Sequence, residues 1–242
     1  MSASPTFREG VASLEKLYRT NRVIRAVNFH NTSQARAAQY DRELAYYSQL
    51  FCSVNEDELD EYVATGTWRK PRPGLIIAVY EGYRNGYDVL APLLDRHGFI
   101  GWFFVVTGFV NSAVADQLSF SEGHCIRMQT REYPDGRYAL TWDELRELDR
   151  KHVIASHTRS HTQLSTLGIT TLEREIIGAQ EDLEEHLGHK VRAFSSFKGP
   201  AFGENPSVDR LVLEAGYNFV FSNFRIQRVS ARDNHNNFGQ SS

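Results

Sequence analysis

Residues 76–110 read IIAVYEGYRNGYDVLAPLLDRHGFIGWFFVVTGFV. Leu75 to Val79 is an unbroken apolar run of strand length, the composition of a strand buried on both faces. Tyr87 to Arg96 has the composition of a helix. His97-Gly98 closes it, with glycine where a helix ends in a left-handed turn. Ile100 to Val106 is a second buried strand. Strand, helix and strand in about thirty residues make one parallel crossover unit.

The alternation continues on both sides. Upstream, Phe7, Val11, Leu14 and Leu17 recur at helical spacing and predict an amphipathic helix over residues 7–20. Val23 to Phe29 predicts a short strand ending at His30, and Gln34 to Phe51 a helix. Asn55 is placed to cap a short acidic helix, Glu56 to Ala64. Residues 66–74, GTWRKPRPG, form a loop too short to separate two domains. Downstream, Thr141 and Glu144 make a capping box for a helix running to Lys151. His152 to Ser156 predicts a strand. Thr170 and Glu173 predict a second capping box, for a helix to Leu187 that Gly188 stops. Val191 to Phe197 and Tyr217 to Ser222 predict strands around a helix with Pro206 in its first turn, ending before Gly216. Residues 108–139 are polar and irregular, and are expected to form a loop excursion with a small hairpin. The expectation is one domain over residues 1–242, with its core at about 23–221, about six strands and a loose polar tail over 230–242.

Composition removes several classes. Of 242 residues, 41% are hydrophobic and 24% charged, which is ordinary globular usage and not that of a disordered, collagenous or coiled-coil chain. Lys plus Arg is 27 against 30 for Asp plus Glu, so there is no basic field for non-specific nucleic-acid binding. The longest apolar stretch, Ile100 to Val110, is interrupted and shorter than the roughly 18 residues of a membrane span. No basic segment followed by an apolar one opens the chain, so the expectation is a soluble, cytoplasmic protein. Cys52 and Cys125 stand far apart, as free thiols would in a reducing compartment.

In folds of alternating strands and helices, active groups lie in loops after the C-terminal ends of strands. That rule selects His30, Tyr80-Glu81, Thr107, His157 and Lys198. His157 and His161 are four residues apart and follow directly on a strand. Chance alone gives roughly 0.3 such pairs at this histidine content, so their place at a strand end carries more weight than the spacing. With Glu81 they compose two histidines and one carboxylate, a set that suits zinc or another divalent transition ion.

The sequence resembles the polysaccharide deacetylase family (carbohydrate esterase family 4, the NodB homology domain) from about Val23 to Phe221. Residues 76–110 look like the first motif and the segment after it. Residues 140–167, LTWDELRELDRKHVIASHTRSHTQLSTL, look like the second, and 188–208, GHKVRAFSSFKGPAFGENPSV, like a looser third. The resemblance implies a distorted (β/α)7-type barrel and a metal held by His157, His161 and a carboxylate, here Glu81. It implies a carbohydrate or other small-molecule substrate, with hydrolysis of a carbon–nitrogen bond.

The departures fall on chemistry. The family's metal aspartate falls on Glu81, where the carboxylate is kept on a stem one methylene longer. The family's base aspartate falls on Tyr80. A phenol with an ordinary pKa near 10 is a poor base at pH 7, and losing a general base typically costs about 10² to 10⁴ in rate. A tyrosine near a cation could instead have a lowered pKa or donate to a developing oxyanion. Lys198 or Arg192 could stand near the place of the family's third-motif arginine. The family's late Leu-His segment has no match, and His235 lies in the polar tail. His30 could line the pocket. Tyr83, Thr107, Lys198 and Pro200 are candidate substrate contacts. Trp102, Phe103, Phe104 and Trp142 are expected to be packing. The leading expectation is a metal-dependent N-deacetylase. The alternatives are a retired deacetylase that binds carbohydrate or regulates, and a hydrolase of a non-sugar amide that uses Tyr80. Nothing in the sequence fixes the oligomeric state.

Overall fold

The structure, a computed structural model, describes residues 23–229 apart from Thr130, Pro200 and Phe224. The expected helix over 7–20, the tail with His235, and Pro200 lie outside the described residues. The elements in chain order are β1 (Ile24–Phe29), α1 (Ala37–Leu50), β2 (Cys52–Ser53), α2 (Glu56–Thr65), β3 (Gly74–Glu81), α3 (Ala91–His97), β4 (Gly101–Val105) and α4 (Thr107–Asn111). They continue with α5 (Gln117–Gly123), α6 (Trp142–Asp149), β5 (Val153–Ser156), α7 (Ile169–Leu187), β6 (Ala193–Ser195), α8 (Pro206–Ala215), β7 (Phe219–Phe221) and β8 (Ile226–Arg228). The strands form one sheet in the order β1-β3-β4-β5-β6-β7-β8, parallel except for β8. It curls into a barrel left open, since β1 and β8 do not pair among the described residues.

Side-chain alternation along the strands divides the core in two. Ile76, Ala78, Tyr80, Trp102, Phe104, Ala155, Phe219 and Phe221 turn into the barrel and pack with Leu59 and Trp68. Leu75, Ile77, Val79, Phe103, Val105, Ile154 and Phe194 face the helices. All eight residues of β3 are buried, as its unbroken apolar run requires. The Asn55–Glu58 and Thr141–Glu144 capping boxes both form, and Gly98, Gly188 and Gly216 end their helices left-handed. Trp102 donates to the Val54 carbonyl at 2.9 Å, and Trp142 donates to Asn111 and stacks on His186, so both are packing residues.

Four expectations are corrected. β3 runs through Tyr80 and Glu81, which are therefore strand residues and not loop residues. The segment 108–139 holds most of α4 and all of α5 in place of a simple loop, and meets the segment just after β3 by the isolated bridge Tyr83–Ala139. The capping box at Thr170 does not form. The cap of α7 lies two residues earlier, on Gly168, whose carbonyl accepts from the backbone of Thr171 and Leu172. Among the described residues the strands number eight, because β2 and β8 are only two and three residues long and too short to show a period in the sequence.

Candidate metal centre

Glu81, His157 and His161 meet at the open mouth of the barrel, all three buried, with one ligand atom of each within 4.8 Å of the others. They arrive from two strand ends. Glu81 ends β3, and His157 follows β5, its backbone N–H still bonded to the Val105 carbonyl of β4 at 2.8 Å. Strand alternation alone would send Glu81 toward the helices, opposite to Tyr80. Its φ of +71° turns the backbone left-handed, and the carboxylate comes round to the mouth.

The loop carrying the histidines is strained and heavily tied. Thr158 and His161 have φ of +66° and +56°. The Thr158 hydroxyl accepts from the His161 N–H at 3.0 Å. Glu175 on α7, itself buried, accepts from the Ser160 N–H at 2.8 Å and the Ser160 hydroxyl at 2.6 Å. Gly108 donates to the Arg159 carbonyl at 2.8 Å, and a Cβ there would stand 2.5 Å from that oxygen, so the position admits only glycine.

Both rings are oriented by backbone. His157 Nδ1 lies 3.0 Å from the Ser195 carbonyl, and His161 Nδ1 lies 2.8 Å from the His124 carbonyl. A carbonyl can only accept, so each Nδ1 carries the proton and each Nε2 lone pair is free for a ligand, the arrangement usual for metal-bound histidines. Burial pushes His157 down to about 3, with the neighbouring His161 adding and the Ser195 carbonyl opposing. His161 is also lowered, chiefly by burial. Both rings are thus neutral near pH 7, the form that binds metal. His161 Nε2 stands 3.7 Å from Glu81 Oε1, close to the edge of about 3.4 Å of a tetrahedron with bonds of about 2.1 Å. The donor set fits a divalent ion of the zinc type.

Tyr80 lies beneath this group. Its ring stacks on Phe104 at 4.9 Å and on His30 at 5.3 Å, with its edge to His157 at 4.9 Å. Burial pushes the phenol up to about 12, a hydrogen bond with the Ser195 side chain opposes, and the Glu81 charge adds. In the metal-free fold the phenol is thus held in its protonated form, poised to donate.

The cavity above has a volume of about 980 Å³. Its walls come from the ends of several strands and the segments after them, with Tyr83, Lys198, Asn28, Asn31, Ser195 and Asn223 among the lining residues. The Tyr83 hydroxyl is committed to the Arg127 carbonyl at 2.9 Å. Thr107 does not reach the cavity. It is fully buried, and its hydroxyl donates to Asp182 Oδ2 on α7 at 2.6 Å. Arg192 sits before β6, away from the strand ends that line the mouth, and pairs with Asp57 and Asp60 of α2. Lys198 is therefore the third-motif cation near the site. The carbonyls of Ser195 and His124 had no signal in the sequence, because a backbone acceptor can belong to any residue.

A family model described as polysaccharide deacetylase matches residues 69–220, more than half of the chain. No curated protein matches the chain. Among solved structures, the Streptococcus pyogenes deacetylase PplD in complex with acetate is 13% identical, with a TM-score of 0.61 over 82% of each chain. A de-N-acetylase from Aggregatibacter actinomycetemcomitans is 15% identical, with a TM-score of 0.62 over 86% of this chain and 91% of that one. IcaB from Ammonifex degensii is 19% identical, with a TM-score of 0.57 over 84% and 86%. At these identities the structural matches carry the fold alone.

Proposed function

The chain belongs to the polysaccharide deacetylase family, and from that premise we propose that it is a metal-dependent hydrolase that removes the acetyl group from an N-acetylated sugar. The observation that carries this reading is the convergence of Glu81 with two histidines whose Nδ1 protons are already committed to carbonyls. A bound divalent ion would supply Lewis acidity at the scissile carbonyl. Glu81, His157 and His161 would hold it. The neutral Tyr80 phenol would donate to an oxygen of the substrate or of the attacking water, which fits its raised pKa. The amide and hydroxyl groups of Asn28, Ser195 and Asn223 offer partners to sugar hydroxyls, and the cavity is large enough for a sugar unit with its neighbours.

One observation favours the second reading, a retired deacetylase that binds carbohydrate. The place of the family's base holds a buried phenol, and besides Glu81 the only carboxylate lining the cavity among the described residues is the exposed Glu122. The test is release of acetate from N-acetylated oligosaccharides by metal-loaded protein, with His157→Ala as control. Release by the wild type and not by the variant supports the enzyme. Saturable sugar binding with no release supports the binding protein.

A further inference from the structure

Glu81 carries the least constrained ligand of the three. Each histidine ring is fixed by a carbonyl, while a glutamate side chain has three torsions to settle. Among the described residues, the one side chain that hydrogen-bonds the Glu81 carboxylate is His30, whose Nδ1 lies 2.9 Å from both oxygens. A carboxylate in that position accepts, so Nδ1 donates. The side chain of Glu81 is 6% exposed and that of His30 is 59% exposed, so the pair joins a buried ligand to the cavity wall.

His30 is itself held in place. β1 pairs with β3 so that Phe29 lies opposite Val79, which sets His30 beside Tyr80. The imidazole stacks on the Tyr80 ring at 5.3 Å with 21° between planes. The next residues are pinned as well, Asn31 donating to the Arg127 carbonyl at 3.0 Å and the Thr32 N–H to Asn85 at 3.0 Å.

We infer that His30 is the positioning residue of the metal centre, orienting the Glu81 carboxylate by its Nδ1–H while the Tyr80 ring orients His30. This rests on the reading of Glu81, His157 and His161 as a metal site. It explains two unusual features with one device. The longer glutamate stem needs an outside partner to fix it, and an aromatic ring at position 80 provides the platform on which that partner lies. The role requires only an N–H aimed at a carboxylate, and both the Nδ1-protonated neutral ring and the cation present one.

The test is metal affinity of chelator-treated protein, by competition between Zn²⁺ and a chromophoric chelator, with the visible spectrum of the Co²⁺ form alongside. His30→Phe keeps the ring on Tyr80 and loses the donor. His30→Asn keeps a donor two bonds from Cβ, where Nδ1 stands, and loses the ring. Outer-shell losses of this kind weaken metal binding by about 10–100-fold. That loss is expected for His30→Phe, with an altered Co²⁺ spectrum, and His30→Asn should recover most of the affinity. If His30→Phe binds as tightly as wild type while Glu81→Ala is weakened, His30 does not position the ligand. If Glu81→Ala binds as tightly as wild type, the three-ligand site is wrong and this inference falls with it.

Discussion

Replacing Tyr80 by aspartate would give the chain the residue its family has at that place, but this structure predicts a cost in folding. The ring stacks against Phe104 and His30, meets His157 edge-on, and is 9% exposed. Removing a large buried aromatic side chain typically costs about 3–5 kcal/mol through lost burial and the cavity left behind. The new carboxylate would also stand beside Glu81, and like charges add to the loss in the metal-free protein. For a chain of this length, about 1 kcal/mol corresponds to 2–4 °C in melting temperature, so Tyr80→Asp should melt roughly 6–20 °C lower without metal. Tyr80→Phe keeps the ring and loses only a hydroxyl, and should stay within about 1 kcal/mol of wild type. Thermal unfolding of chelator-treated protein measures both. A metal-free Tyr80→Asp as stable as wild type would refute the packing assigned to Tyr80.

Three further outcomes are expected. Glu175→Ala removes the acceptor for two Ser160 donors on the strained histidine loop; it should lower stability by about 2–3 kcal/mol in urea unfolding and weaken zinc binding, and unchanged zinc binding would mean that the loop holds its shape unaided. Gly108→Ala forces a Cβ to within 2.5 Å of the Arg159 carbonyl and should displace the same loop, read as weakened zinc binding against a Gly168→Ala control, where a Cβ meets nothing and φ is an ordinary −72°. The pH dependence follows from His157, which burial holds at about 3 in the fold against 6.5 unfolded. The unfolded chain takes up this proton first, so stability is full above about pH 6.5 and is lost as pH falls from there toward 3. Urea unfolding of metal-free protein between those values should show the decline, and His157→Gln should flatten it; equal slopes would contradict the neutral buried ring.

The barrel was legible because its signals are long and local. The β3 run, the Asn55 and Thr141 caps, and the glycines after α3, α7 and α8 each act within one element. The cluster of Glu81, His157 and His161 was legible because these residues stand at or just after strand ends. Tyr80 stands out in the sequence as a departure from the family's pattern, but its surroundings depend on the stack with Phe104 and His30, which joins residues far apart in sequence. Thr107 lies at a strand end like the others, yet a buried partner from α7, Asp182, claims its hydroxyl, and no local pattern shows that. The His30–Glu81 bond likewise depends on the β1–β3 register, which links residues on either side of two helices. Arg192 and Lys198 stood as alternatives by spacing, and only the direction of β6 separates the far end of the barrel from its mouth.

The central claim is that one divalent ion sits on Glu81, His157 and His161. Elemental analysis of the purified protein, beside Glu81→Ala and His157→Ala, tests it most directly. The account predicts close to one transition-metal ion per folded chain in the wild type and little in either variant. A folded wild type that holds no metal and takes up none from added Zn²⁺ would contradict it.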